Sequence, residues 1–269
     1  IVQSSSATTV MTVSFVNAGL LSLVESAGVM LGANIGTTIT SWLVALLGFK
    51  VSMSALSLPL LAIAVPMLFV KKSKVKYVGE FILGFAILFW GLAELKNAVP
   101  DIKGNPEMLH FLGKYADTNF LSNVLFVLVG TLLTIIVQSS SATMALTQTL
   151  CFTGIIPYEA AIAMVLGENI GTTITAELAS LPANVHAKRS ARIHSLFNII
   201  GVSWMVLVIS FTPFLDLISW FAVDVLGSVD PRLDIEGTPM GLAIFHTTFN
   251  LLNVSIMIWV LNWLVKVAT

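Results

Sequence analysis

Apolar segments close to the length needed to cross a lipid bilayer dominate this sequence. A membrane-spanning helix needs about 20 mostly apolar residues. Only 10% of the residues are charged, whereas a soluble domain has about 25%, so these segments cannot all be covered by a water-soluble surface. We therefore predict an all-α integral membrane protein in contact with the lipid bilayer. The candidate spans are 19–47, 54–70, 78–97, 118–137, 155–181, 193–212 and 239–265.

The basic residues predict the orientation of the chain in the membrane. Cytoplasmic loops of membrane proteins are enriched in lysine and arginine, which places loops 71–76 and 182–192 and the C-terminus in the cytoplasm. We expect a multi-pass protein of the plasma membrane, which in a bacterium is the inner membrane. The net charge of −1 gives no basic surface for nucleic acid.

The sequence contains a duplicated unit. Residues 1–40 match residues 136–175 at 19 positions without a gap, at a constant offset of 135 residues. The matches concentrate in two motifs, Q-S-S-S and G-x-N-I-G-T-T-I-T. A duplication of this kind predicts two structurally similar units. An apolar helix precedes the second Q-S-S-S, so we expect a further N-terminal portion with at least one helix before the first.

An odd number of predicted crossings, three, separates the two Q-S-S-S motifs. The second unit would then be inverted relative to the first, which is typical of secondary transporters. We expect each unit to contain a re-entrant helical hairpin with Q-S-S-S at its tip and a broken transmembrane helix. Residues 1–97 form the first repeat and a connecting helix, residues 98–117 an extracellular linker with an interfacial helix, and residues 118–269 the second repeat and the C-terminal helix.

The Q-S-S-S motif predicts an anion site. A helix that begins at this motif exposes backbone N–H groups at its N-terminus, where the helix dipole attracts anions. Serine hydroxyls and the glutamine amide add further donors. Two such tips that meet would bind an anion without any arginine.

The second motif predicts a break inside a helix. Gly32, Gly36, Gly167 and Gly171 permit unwinding, and the neighbouring asparagine and threonine oxygens suit a cation such as sodium. Small residues could instead serve close helix packing. Duplication of both motifs in register favours a binding site.

These paired motifs resemble those of the sodium–phosphate cotransporters, in particular the bacterial branch and more distantly the animal type II carriers. The segment 78–97 and His194-Ser-Leu-Phe-Asn198 also match the bacterial pattern. The resemblance implies sodium-coupled phosphate symport by alternating access, with sodium as the coupling ion, inorganic phosphate as the partner and no organic cofactor. It implies phosphate contacts at Gln3, Ser4, Ser5, Ser6, Gln138, Ser139, Ser140 and Ser141, and sodium contacts at Asn169, Thr172, Thr175, Asn34 and Thr37.

Glu168 departs from the repeat, because the first unit has Ala33 at this position. An acid inside the membrane is costly and is functional by default. We therefore add Glu168 to the predicted sodium ligands. A proton carrier and a structural hydrogen-bonded acid are the alternatives.

The same motifs are compatible with functions other than symport. The same frame could carry another oxyanion or a dicarboxylate, or the protein could sense phosphate without transporting it. Motifs of hydrolases, metalloproteases and P-loop enzymes are absent from the sequence, so we do not expect an enzyme.

The pattern H-x-x-x-N occurs at His194 and His246, and we expect interhelical hydrogen bonds there. The oligomeric state cannot be predicted from the sequence.

Overall fold

The protein is described by a computed structural model that covers residues 2–49, 53–103 and 119–269. Helices account for most of these residues, and no β-strand occurs among them. Residues Phe221–Val225 form a π-helical turn, and Ile235–Gly237 form a 3₁₀ turn. The α-helices are α1 Ser5–Asn17, α2 Leu23–Gly36, α3 Thr38–Leu47, α4 Met53–Leu68, α5 Ser73–Lys103, α6 Phe120–Val137, α7 Ser140–Phe152, α8 Tyr158–Gly171, α9 Thr173–Ser180, α10 Val185–Phe211, α11 Phe214–Trp220, α12 Thr238–Met257 and α13 Leu261–Ala268.

The sequence duplication is repeated in the backbone. Helices α1, α2 and α3 begin 135 residues before α7, α8 and α9, respectively. The same offset relates the left-handed residues, because Gln3 and Gln138 have φ of 53° and 58°. Gly19 and Gly154 likewise have φ of 74° and 73°. The two units therefore share one local fold.

The second motif interrupts its helix for a single residue in each unit. Thr37 separates α2 from α3, and Thr172 separates α8 from α9. Both residues keep right-handed helical angles, with φ/ψ of −69°/−19° and −60°/−28°. The unwinding that we expected at the glycines is therefore wrong, since these glycines lie within α2 and α8.

Two of these glycines instead bring α6 and α8 into backbone contact. A Cβ atom on Gly171 would lie 2.6 Å from the carbonyl oxygen of Thr131, and one on Gly167 would collide with the carbonyl of Val127. The Thr131 hydroxyl donates a hydrogen bond to the Gly167 carbonyl oxygen at 3.0 Å. Small residues allow helices in membranes to approach this closely. Helix α8 lies at the centre of the largest apolar core.

Five helical segments among the described residues are long and apolar enough to cross a membrane. The predicted span 54–70 corresponds to a shorter apolar helix over 57–68, and the predicted span 155–181 is not among the five. The segment 213–226 is helical, as α11 and the π-helical turn. Residues 104–118, where most of the predicted linker with its interfacial helix falls, lie outside the described residues. The five segments are Leu23–Leu47, Ser73–Glu94, Phe120–Val137, Val185–Phe211 and Ile235–Met257.

The basic segments and the linker are more helical than we expected. Helix α5 begins at Ser73 and α10 at Val185, so most of 71–76 and of 182–192 is helix and not loop. Helix α5 also continues through Lys103, so the first residues of the predicted linker 98–117 are helical. The remainder of that linker is not described.

Helix α10 contacts the end of α1 at its own start and the start of α6 at its own end. At its start, the backbone N–H of Asn184 donates to Asn17 Oδ1 at 2.8 Å, and Asn184 Nδ2 donates to the Asn17 carbonyl oxygen at 2.9 Å. At its other end, the ring of Phe211 stacks on Phe120, with centroids 6.0 Å apart. The C-terminal residue Thr269 lies near the start of α10, where its carbonyl oxygen accepts from Arg189 at 3.1 Å.

Candidate functional site

The two Q-S-S-S motifs meet in the structure. Each glutamine adopts a left-handed conformation, and the serine after it caps the following helix. Ser4 Oγ accepts from the N–H of Ala7 at 3.2 Å, and Ser139 Oγ accepts from the N–H of Ala142 at 3.2 Å. Helices α1 and α7 then begin at Ser5 and Ser140, whose hydroxyl oxygens are 3.5 Å apart. Two helix N-termini thus converge on one point.

This arrangement can bind an anion. The first N–H groups of a helix have no partner within that helix, and each N-terminus carries a partial charge of about +0.5. Ser5 is 3% exposed, Gln3 and Gln138 are exposed, and the other five predicted residues are half-buried. The described residues place all eight predicted phosphate contacts in these two tips.

Glu168 is buried against α7. It is 2% exposed, and its Oε1 accepts a hydrogen bond from the Thr147 hydroxyl at 2.7 Å. Thr147 belongs to α7, so this bond joins the helix that begins at Ser140 to α8. In the described part of the chain, no group of three or more His, Cys, Asp or Glu side chains is arranged so that it could hold a metal ion.

The other predicted sodium ligands of the second unit donate their hydrogens within their own helix. The Thr172 hydroxyl donates to the Glu168 carbonyl oxygen at 2.7 Å, and the Thr175 hydroxyl donates to that of Thr172 at 2.8 Å. Asn169 Nδ2 donates to the Val165 carbonyl oxygen at 3.0 Å. Their side-chain oxygens keep lone pairs, which are the groups that a hard cation requires.

In the first unit, Asn34 contacts a helix outside the duplicated motifs. Asn34 Nδ2 donates to Asn198 Oδ1 at 3.3 Å, and Asn198 Nδ2 donates to the His194 carbonyl oxygen. Thr37 donates to the Asn34 carbonyl oxygen at 3.0 Å. The interhelical bond expected from H-x-x-x-N is therefore confirmed at Asn198.

Two neighbouring residues of α7 were missed by sequence reasoning. Thr147 is the partner of Glu168, and Gln148 donates to α3 and to α12. The repeat did contain a signal for Gln148. The corresponding residue of the first unit is Val13, so Gln148, like Glu168, is polar where the first unit is apolar. Its contacts could not be deduced, since they join residues about 100 positions apart.

A cavity of about 550 Å³ lies apart from the predicted residues. It is lined by 151 and 154–159, from the end of α7 to the start of α8, and by 231–235 and 238, from the segment before α12 and the first residue of that helix. None of the predicted phosphate or sodium contacts lines it. Its only cationic side chain among the lining residues is Arg232, which pairs with Glu159 at 3.3 Å and with Asp216.

The chain is similar to known proteins over most of its length. A family model described as Na+/Pi-cotransporter matches residues 1–97 and 104–223. "Uncharacterized protein YqeW" of Bacillus subtilis is 32% identical over 206 residues, which are 76% of this chain and 63% of that protein. "Putative inorganic phosphate export protein YjbB" of Escherichia coli K12 is 29% identical over 262 residues, which are 96% of this chain and 43% of that protein.

A mammalian protein shares a shorter region. "Sodium-dependent phosphate transport protein 2C" of Mus musculus is 44% identical over 93 residues, which are 33% of this chain and 16% of that protein. The chain thus spans less than two thirds of the length of each of these relatives. No solved structure matches the chain significantly.

Proposed function

Because the chain belongs to the Na+/Pi-cotransporter family, we propose that it is the core of a sodium-coupled symporter of inorganic phosphate. The observation that carries this proposal is the meeting of the two Q-S-S-S tips, with Ser5 Oγ and Ser140 Oγ 3.5 Å apart. A site made of two helix N-termini and serine hydroxyls has the chemistry of an oxyanion site. The names of two relatives describe phosphate transport.

The proposed architecture is a pair of inverted repeats with re-entrant hairpins. Its support is that the base of α1 contacts the start of α10 through Asn17 and Asn184, whereas the base of α6 contacts the end of α10 through Phe120 and Phe211. A helix of 27 residues is about 40 Å long, which is enough to cross a bilayer. The two hairpins would therefore enter from opposite sides and meet at their tips.

The same helix contains a contact that supports the proposed orientation. The start of α10 carries Lys188, Arg189 and Arg192, and Arg189 contacts the C-terminal residue. The predicted cytoplasmic basic segment and the predicted cytoplasmic C-terminus are thus neighbours. In this proposal, the first hairpin enters from the cytoplasm and the second enters from outside.

We place sodium beside the second hairpin, at Glu168, Asn169, Thr172 and Thr175, with Asn34 and Thr37 as symmetric ligands. A cation at Glu168 would offset the charge of phosphate, and charges in a site of low dielectric interact strongly. Because Thr147 links Glu168 to the hairpin, occupation of the cation site would also bear on the position of the Ser140 tip. This gives a physical route for coupling the two substrates.

The direction of transport is a separate question. A symporter runs in the direction that its gradients impose, and the name of the Escherichia coli relative describes phosphate export.

Two alternatives to phosphate symport remain. One is transport of another oxyanion or a dicarboxylate, for which competition by arsenate, sulfate and succinate is the test. The other is phosphate sensing without turnover.

The proposal is tested by uptake of radiolabelled phosphate into proteoliposomes that contain the complete protein. We expect accumulation above equilibrium with an inward sodium gradient and none when potassium replaces sodium. Equal uptake in both salts would remove sodium coupling and favour Glu168 as a proton carrier. Saturable binding without accumulation would favour the sensor.

A further inference from the structure

Gln148 in α7 holds three helices together at a buried point. Its side chain has 0% exposure. Nε2 donates to the carbonyl oxygen of Ser41 in α3 at 3.2 Å and to that of Pro239 in α12 at 3.1 Å. One residue of the second hairpin is therefore bonded to a helix of the first unit and to a helix that follows both units.

The chemistry of these contacts fixes the orientation of the amide. Both partners are carbonyl oxygens, which only accept, so the NH2 group must face them. The opposite atom, Oε1, has no hydrogen-bond partner among the described residues. Burial of an unsatisfied acceptor costs free energy, so Oε1 opposes the stability of the fold.

The first hairpin lacks this connection. Its residue at the corresponding position is Val13, and the threonines near it donate only to their own helix, Thr9 to Ser6 and Thr12 to Thr8. Among the described residues, the side-chain hydrogen bonds from α1 to other elements lie at its two ends, at Ser5 and Asn17. Among the described residues, the middle of α1 thus has no side-chain hydrogen bond to another element, whereas Thr147 and Gln148 give the middle of α7 three.

We propose that Gln148 is a positioning residue that fixes the second Q-S-S-S tip, so that the second tip is the static half of the phosphate site and the first tip is the mobile half. This inference rests on the proposed function, because it names the residue that orients the same site. Gln148 acts through the orientation of α7, at whose N-terminus Ser140 lies. A hairpin released from α3 and α12 would spend less time with its tip aligned, and apparent affinity falls in proportion to that time.

The substitution Gln148→Met tests this role, since it preserves the volume and removes both donors. We expect the KM for phosphate to rise about 5- to 30-fold, the factor that corresponds to about 1–2 kcal/mol, while Vmax stays within about twofold. Thr149→Val is the matched control. Thr149 is equally buried in α7, but its hydroxyl donates only to the Ala145 carbonyl of the same helix. A KM unchanged by Gln148→Met in folded protein would overturn the proposal, as would an equal rise in both variants.

Hydrogen–deuterium exchange on the unmodified protein gives a second test that no folding defect can obscure. In phosphate-free lipid nanodiscs, we expect the amides at the start of α7 to exchange at least about tenfold more slowly than those at the start of α1. Equal exchange, or faster exchange in α7, would overturn the assignment of a static second tip. The exchange experiment does not require transport, so its outcome is separable from a failure of the proposed function in the uptake assay.

Discussion

The hydrogen bond between Thr147 and Glu168 offers a direct measure of what the buried acid does. Thr147→Val keeps the shape of the side chain and removes the single donor 2.7 Å from Glu168 Oε1. Both residues are almost completely buried, so water does not replace the lost bond. An interhelical hydrogen bond in a membrane protein averages about 0.6 kcal/mol, whereas a bond to a charged group is worth about 1.5–3 kcal/mol. A charged, cation-binding Glu168 predicts the larger loss.

The assay is thermal unfolding of wild type and variant in detergent, in sodium and in potassium chloride. A change of 1 kcal/mol shifts the midpoint by about 2–4 °C in domains near this size, so we expect a loss of about 3 °C or more for Thr147→Val in sodium. Thr12→Val is the control, because Thr12 holds the corresponding position in α1 and donates to the Thr8 carbonyl of its own helix at 2.7 Å.

Either of two results would refute a charged, sodium-binding Glu168. If Thr147→Val costs no more than Thr12→Val, the bond to Glu168 carries no charge-dependent energy. If the loss is the same in sodium and potassium, the bond has no connection to a sodium site. The expected outcome is a larger loss in sodium than in potassium, because sodium stabilises the folded protein according to its affinity and the variant binds sodium more weakly.

Three further predictions address the remaining parts of the site and the fold. Ser5→Ala and Ser140→Ala should each abolish phosphate uptake without unfolding the protein, since each removes a hydroxyl from the point where the tips meet; normal uptake by both variants would refute the anion site. Glu168→Gln should remove the extra stability that sodium confers over potassium. This extra stability amounts to about 2.7 kcal/mol when sodium is at 100 times its Kd. A sodium effect that persists in this variant would exclude Glu168 as a ligand. Gly167→Ala should destabilise the protein by about 1–3 kcal/mol, the usual cost of overpacking, because the new methyl group meets the backbone of α6. Gly91→Ala in α5 should leave stability unchanged, because no atom lies within 4 Å of the new methyl group. Equal stability of the two variants would contradict the backbone contact.

Several features of the fold could be predicted because they depend on local sequence. The helix starts at Ser5 and Ser140 follow from a capping serine, and the same sequence at the same offset produced the same left-handed glutamine in both units. The apolar character of the chain identified most of the spanning helices for the same reason. The interruption at the second motif was located correctly, but its form was not.

The glycines of that motif show where local reasoning fails. Glycine permits both unwinding and close packing, and the choice depends on the neighbouring helix. In the second unit, α6 lies against Gly167 and Gly171, so the helix remains intact there. A pattern of residue types within one segment does not contain that information.

The sequence by itself determined that the chain is membrane-embedded, that it is duplicated, and that its two Q-S-S-S motifs begin helices, since hydropathy, repetition and capping are properties of contiguous residues. Only the tertiary structure decided that Ser5 lies against Ser140, that Thr147 is the partner of Glu168, and that Gln148 joins α7 to α3 and α12. Among these contacts, those of Ser5 and Gln148 join residues from 91 to 135 positions apart. Such pairs form because packing of the apolar helices leaves each buried polar group a small set of partners, and that packing is a property of the whole chain.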